Sequence, residues 1–319
     1  MHYSVFGWRN LPMMRALSSL PPVPVPLPSS RETHLWYVEP GEVRSPSLLK
    51  EYLELLSPCE REAVSRLNVE KLQKGAILAR ALVRTTLARY THEKVCPRSM
   101  KFKKNRFGKP EIEWQNDEGW VPPSLQFNVS HTSSLIACGV TVDAPIGIDV
   151  EEKQRKLRNN IMSFARRYFT PCEFNFLHAI QDPEIQRQEV IKLWTLKEAY
   201  VKALGRGFSA APFKDFTIRF TTREDEESEI VIEALRDPEN LTTNWQFTLL
   251  ELESSHYAAV CVKDGDNENR PPCQISHPLK LKVWKTLPLV EDECVSGTDA
   301  VVSINGVSKH LKFSSESHH

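Results

Sequence analysis

An α+β protein in two halves is what this sequence predicts, on three observations. Between residues 69 and 90, apolar residues recur at three- and four-residue steps, as on a helix with one buried face. From residue 100 to 151 the pattern switches to short period-two segments separated by Gly- and Pro-bearing turns, as in strands. The same succession, helices and then strands, returns between residues 153 and 262.

The elements follow in order. Residues 1–31 stand apart, because Arg9, Arg15 and Arg31 occur among several serines with no acid before Glu32. Such a start has the composition of an organellar transit peptide, whereas PPVPVPLP (21–28) favours the extended structure of a disordered leader. Both readings stay open, and with them a cytosolic or a mitochondrial location. Folded structure is expected from His34, where LWYV reads as a strand. Ser57 and Pro58 open one helix, and Asn68 is placed to cap a longer one ending near Tyr90. On that helix Leu72, Ala76, Ala79, Val83, Leu87 and Tyr90 form the apolar stripe. Lys71, Lys74, Arg80, Arg84 and Arg89 form a basic face, either solvated or turned towards phosphate.

Strands are expected at 100–103, 111–114, 125–129, 135–142 and 146–151. Helices follow at 159–168, 171–180 and 183–204, the last stopped by Gly205. Strands at 216–220, 229–235, 245–251 and 256–262 complete the second half. In the polar tail, LKLKVWKTLPLV can form a strand but carries no recognisable chemistry. The expected division is thus a leader (1–31), two halves (32–145 and 146–265) and an extension of unknown role (266–319).

Bulk properties narrow the function classes. A formal net charge of zero argues against bulk electrostatic binding to nucleic acid or to a membrane surface. No apolar run approaches the roughly 20 residues that span a bilayer. The seven cysteines are dispersed without a CxxC pair, so a structural zinc site is not expected and a reducing compartment is.

Three segments carry chemistry. In GIDVEE (147–152), Asp149 and Glu151 stand two apart and project from one face of a strand. Adjacent carboxylates suit Mg²⁺, although alternating acids are also common on plain surface strands. In LWTLKEAYVKALGRGF (193–208), Leu193, Leu196, Tyr200 and Leu204 form the buried stripe. Glu198 and Lys202 fall opposite, as an ordinary i, i+4 pair or as functional groups. In FNVSHTSSLIACGV (127–140), Asn128, Ser130 and His131 sit at a turn where a small anion can meet a histidine, or where the histidine is only a local hydrogen-bonding residue. A basic cluster lies upstream, comprising Arg98, Lys101, Lys103, Lys104, Arg106 and Lys109 and ending in RFGKP. Its charge suits a multiply phosphorylated small molecule, a solvated surface or a nucleic-acid patch, the last disfavoured by the neutral chain.

Together and in this order, GKP, FNVSH, GIDVEE and WTLKEAYVKALGRG resemble the Sfp-type 4′-phosphopantetheinyl transferases, over residues 36 to 262. The resemblance implies two similar halves related by a pseudo-twofold, each a small antiparallel sheet packed with helices, with the active site in the cleft between them. It implies transfer of phosphopantetheine from coenzyme A to a serine of an apo carrier protein, releasing 3′,5′-ADP. Asp149, Glu151 and Glu198 are then the Mg²⁺ ligands, and Lys202 meets the phosphate under attack. Glu198, or Glu151 through a water, is the base. His131 contacts the 3′-phosphate, with Asn128 and Ser130 shaping the loop, and Lys197 also falls at the cofactor. Lys104, Arg106, Gly108 and Lys109 line the nucleotide.

One departure stands out: SPCEREAVSRL places Glu60 and Ala63 where the family pattern leads one to expect basic residues. A monomer is expected, with no nucleic-acid or membrane partner. The competing readings are a CoA-binding regulator without turnover, a Mg²⁺-dependent nuclease, and an interaction module whose charges are all surface.

Overall fold

The computed structural model describes residues 21–115, 119–156, 160–207, 212–222, 228–234, 242–264 and 279–304. The first strand, β1 (Glu32–Val38), shows how its layers arise. Trp36 and Val38 enter one core while Leu35 and Tyr37 enter another. A strand buried on both faces must be covered twice, here by helices on one side and a second sheet on the other.

Both halves run through one order: a strand, three helices, a hairpin, then two strands. In the first half these are β1, α1 (Pro46–Leu55), α2 (Pro58–Ser65), α3 (Glu70–Arg89), the hairpin β2 (Lys101–Lys104) and β3 (Pro110–Glu113), β4 (Leu125–His131) and β5 (Ile136–Val142). In the second they are β6 (Ile146–Glu152), α4 (Ile161–Tyr168), α5 (Pro171–His178), α6 (Pro183–Leu204), the hairpin β7 (Phe216–Thr222) and β8 (Ser228–Ala234), β9 (Trp245–Leu252) and β10 (His256–Lys263). The strands pair antiparallel as β1-β5-β4 and as β6-β10-β9, the same arrangement twice.

One core lies beneath α1–α3 and a second beneath α4–α6. A third, with Leu35, Tyr37, Ile148, Val150, Leu250 and Val260, joins the two sheets. The order of layers is helix, sheet, sheet, helix.

The halves also share a buried clamp. Ser57 and Thr170 open α2 and α5 with capping boxes, closed by Glu60 and Glu173. Each glutamate also reaches a cation on the long helix: Glu60 meets Arg84 at 2.6 Å, and Glu173 meets Lys197 at 2.9 Å. Arg84 further donates to the carbonyls of Pro97 and Met100, and Lys197 to those of Phe213 and Phe216. Arg84 and Lys197 each stand fourteen residues after the first residue of their helix, so they are structural equivalents. Glu60 is therefore not a lost phosphate contact, since its carboxylate ties α2 to α3.

Several expectations are corrected. Val69, not Asn68, precedes α3, with no side-chain cap. Leu72 is exposed, and full burial on α3 begins only at Ile77. Arg84 and Arg89 belong to neither a solvated nor a phosphate-facing surface, since both are buried. Arg89 pairs with Asp292 at 2.7 Å and lies over the Trp36 ring.

The tail is woven into both halves. β11 (Lys280–Leu287) runs parallel to β1, β12 (Glu291–Cys294) pairs with β11, and β13 (Val301–Ser303) pairs with β9. Trp284 stacks on Trp36, and Lys285 bridges Glu39 and Glu42 of the first half to Glu253 of the second. Order also begins ahead of His34. Pro22 and Pro28 are buried, and Val25 donates its N–H to the Arg89 carbonyl. Residues 1–20, on which the transit-peptide reading mainly falls, lie outside the described residues.

Candidate active site

The site starts from a glycine. A Cβ at Gly147 would stand 2.0 Å from the Ala199 carbonyl oxygen and 2.2 Å from the Ala203 nitrogen. Only the missing side chain lets α6 lie against the backbone of β6. Strand periodicity then divides β6: Ile146, Ile148 and Val150 enter the inter-sheet core, while Gly147, Asp149 and Glu151 face α6. The same close contact brings Glu198 and Lys202, one helical turn apart, up to the two strand acids.

Asp149 is buried. Its Oδ1 accepts from Lys202 Nζ at 2.6 Å and from Ser130 Oγ at 2.9 Å, while its buried Oδ2 has no partner. Burial raises its pKa, with Lys202 pulling the other way. Glu151 accepts from Arg155 Nη1 and from the Trp194 side chain. Burial pushes the Glu151 carboxyl up to about 7, reinforced by Asp149. Burial likewise pushes Glu198 up to about 7, with Asp149 and Glu151 adding to the effect and Lys202 opposing it. Three carboxyl groups thus share one poorly solvated space with Lys202 and Arg155 as their cations.

The first half supplies the opposite wall. β4 and β6 are edge strands that meet side by side, and side chains replace the missing ladder. Asn128 Oδ1 accepts from the Ile148 N–H at 2.9 Å, and Ser130 Oγ from the Val150 N–H at 3.2 Å. Two residues of spacing in β4 match two residues in β6. The N-x-S pattern is therefore a seam inside a strand rather than a free turn. His131 ends β4 and stays exposed. Partial desolvation of its ring lowers its pKa, and Lys202 adds to this while Asp149 opposes it.

Two predicted site groups do other work. Lys197 is fully buried within the clamp, its ammonium held by Glu173. Its pKa falls to about 8 through burial, with Glu173 opposing. The hairpin turn of β2 and β3 reaches the end of α6. Asn105 accepts from the N–H groups of Phe107 and Lys109 and donates to the Gly205 carbonyl at 3.0 Å. Gly108 has φ +92°, the left-handed region this tight turn needs. Lys109 Nζ donates to the Ile146 carbonyl at 2.9 Å and to that of Ala203, a cation at a helix C-terminus. Lys109 locks the halves together, whereas Lys104 and Arg106 remain exposed on the hairpin.

Sequence reasoning missed Asn105, Trp194 and Arg155. An Asn opening a Gly-containing turn was a readable Asx-turn signal for the first. Nothing in the basic run KQRK singled out Arg155.

Among the described residues, no three His, Cys, Asp or Glu side chains already converge as a metal cage. The donor set nevertheless fits a hard cation. It is all carboxylate, it holds an unpartnered buried Asp149 oxygen, and burial, with Asp149 adding to it, pushes Glu151 and Glu198 towards protonation.

A cluster of three acids and a lysine at the junction of the halves is what this arrangement defines, and comparison with known proteins says which class of protein carries it. Residues 145–261 match the 4′-phosphopantetheinyl transferase superfamily, and residues 44–141 match the 4′-phosphopantetheinyl transferase N-terminal family. The chain is 30% identical to the 4′-phosphopantetheinyl transferase HetI of Nostoc sp. over 236 residues, 73% of this chain and 88% of that one. It is 27% identical to the 4′-phosphopantetheinyl transferase Sfp of Bacillus subtilis over 216 residues, 67% of this chain and 85% of that one. The mouse L-aminoadipate-semialdehyde dehydrogenase-phosphopantetheinyl transferase is 21% identical over 241 residues, 72% of this chain and 74% of that one. The chain belongs to the 4′-phosphopantetheinyl transferase superfamily.

Proposed function

We propose that this cleft moves the phosphopantetheine of coenzyme A onto a serine of an apo carrier protein with Mg²⁺ held by Asp149, Glu151 and Glu198. One observation carries the reading: the unpartnered Asp149 Oδ2 stands beside two acids whose pKa values approach 7, with Lys202 alongside. When bound, the cation would offset pyrophosphate charge. The protein's own groups do the rest. Glu198, or Glu151 through a water, takes the serine proton. The serine oxygen forms its bond to the phosphorus bearing pantetheine, the bond from that phosphorus to the ADP oxygen breaks, and 3′,5′-ADP leaves. Lys202 offsets charge on the phosphate under attack, and His131, exposed at the rim, meets the 3′-phosphate.

The seam fits this role. Asn128 and Ser130 fix β4 to β6, so the group that grips the nucleotide and the acids that act on it keep one spacing. A regulator without turnover is expected to have lost one of these acids, and all three are present. The experiment is incubation with CoA, Mg²⁺ and a panel of apo carriers, read by intact mass. Each modified carrier should gain one phosphopantetheine on serine, and chelation of Mg²⁺ should stop the reaction. Undiminished transfer under chelation would overturn the metal assignment.

A further inference from the structure

Arg155 belongs to none of the motifs, yet it is the most accessible charge in the acid cluster. Its backbone is fixed. The Arg155 N–H donates to the Glu152 carbonyl at 2.9 Å, and Arg187 on α6 reaches the carbonyls of Lys153 and Arg155. Its side chain is held differently. Nη1 donates to Glu151 Oε1, and the guanidinium lies 5.6 Å from the centre of the Trp194 ring. At 38% exposure that side chain can leave Glu151 without moving the turn that carries it. Its charge acts on Asp149, Glu151 and Glu198 together.

We infer that Arg155 is a built-in counter-ion of the acid cluster, which a divalent cation must displace from Glu151 in order to bind. The inference rests on the proposed metal role of Asp149, Glu151 and Glu198. A Glu151 oxygen engaged by a guanidinium is not free to ligate a metal, and a dication competes for the same electron pairs with twice the charge. Lys202, the other cation, is deeper and shared between Asp149 and Ser130, so it is the less easily removed of the two. The guanidinium lies against the Trp194 ring even while it engages Glu151. The consequence is a site that binds metal weakly until Arg155 lets go.

The test is Mn²⁺ binding to the full chain without CoA, followed by the electron paramagnetic resonance of the free ion. Arg155→Gln should tighten Mn²⁺ about two- to fivefold, the upper part of the range for losing one partly exposed ion pair. Arg155→Lys should stay closer to wild type. Lys156→Gln, which removes an equal charge one residue away, should change affinity by less than about twofold. Unchanged or weaker binding in Arg155→Gln, or equal tightening in Lys156→Gln, would overturn the inference. Asp149→Asn should abolish binding in both the wild-type and Arg155→Gln chains. Wild-type protein that binds no Mn²⁺ with or without CoA would instead remove the metal assignment itself, and the inference with it. Circular dichroism of each variant guards against loss of fold.

Discussion

The two halves share a skeleton and differ where the chemistry lies. Each carries a long helix whose buried cation, Arg84 or Lys197, is pinned by the glutamate of a capping box. Each lays that helix on the first strand of its half. The helix-facing residues of β1 include Trp36 and Val38, which are core material, and Trp36 stacks on Trp284 of the tail. On β6 the corresponding face presents Gly147, Asp149 and Glu151. A tryptophan holds its helix at a distance, whereas a glycine lets it touch the strand backbone. One half therefore became scaffold and wall, the other the acid floor. A repeated fold constrains the clamps and leaves the strand face free to change.

The largest effect expected from breaking this asymmetry is at Gly147. Gly147→Ala would force β6 and α6 apart against backbone atoms, so folding stability should fall by about 3 kcal/mol or more and transfer should be lost with it. Chemical denaturation with parallel activity assays checks this. Stability within 1 kcal/mol of wild type, estimated as roughly the scale of a tolerated core change, would show that the close approach is not required.

Next come the clamps. Lys197→Met leaves Glu173 buried without its cation and should cost about 3–5 kcal/mol. Arg84→Met should cost less, because Glu60 is 21% exposed and retains solvent. At low temperature, the folded fraction of Lys197→Met should bind CoA with nearly wild-type affinity, as calorimetry can show. A selective loss of CoA affinity would restore Lys197 to the cofactor site.

Much of this was legible in sequence. Both strand-helix successions, the limits of α6 and the pairing of Asp149 with Glu151 on one face follow from periodicity and from Gly205 as a stop. The reason is physical, since short-range pattern records which face of an element is buried. What it does not record is which element covers that face. Lys197 sits beside Glu198 in sequence but on another side of the helix, and only the fold shows that Glu173 is waiting there. Asn128 and Ser130 looked like turn residues because strand pairing by side chains leaves no local signature. The tail strand β11 pairs in parallel with β1, partners such as Glu32 and Lys280 lying 248 residues apart, a contact that local sequence pattern does not report.

A finer effect concerns His131 on the wall. If it meets the 3′-phosphate, His131→Ala should weaken CoA at least about tenfold while leaving 3′-dephospho-CoA nearly unchanged, since a charge-assisted contact is worth roughly 1.5–3 kcal/mol. Equal losses for both ligands, measured by competition, would make it a loop residue only.

The smallest effect is in pH. Burial pushes Lys109 down to about 8, below its value in the unfolded chain. Between about pH 8 and 10 the unfolded state binds the extra proton, so this lysine contributes stability that rises with pH across that window and is absent below it. Lys109→Met should flatten that rise in melting temperature. An unchanged pH slope would mean that Lys109 stays charged against the helix end.

The floor itself is tested most directly by a crystal structure with coenzyme A and Mn²⁺, using the anomalous signal of the metal. An anomalous peak between Asp149, Glu151 and Glu198, with the pyrophosphate beside Lys202 and the 3′-phosphate at His131, is the result expected. A peak away from these acids, or coenzyme A bound outside the seam between β4 and β6, would contradict the assignment of the cleft.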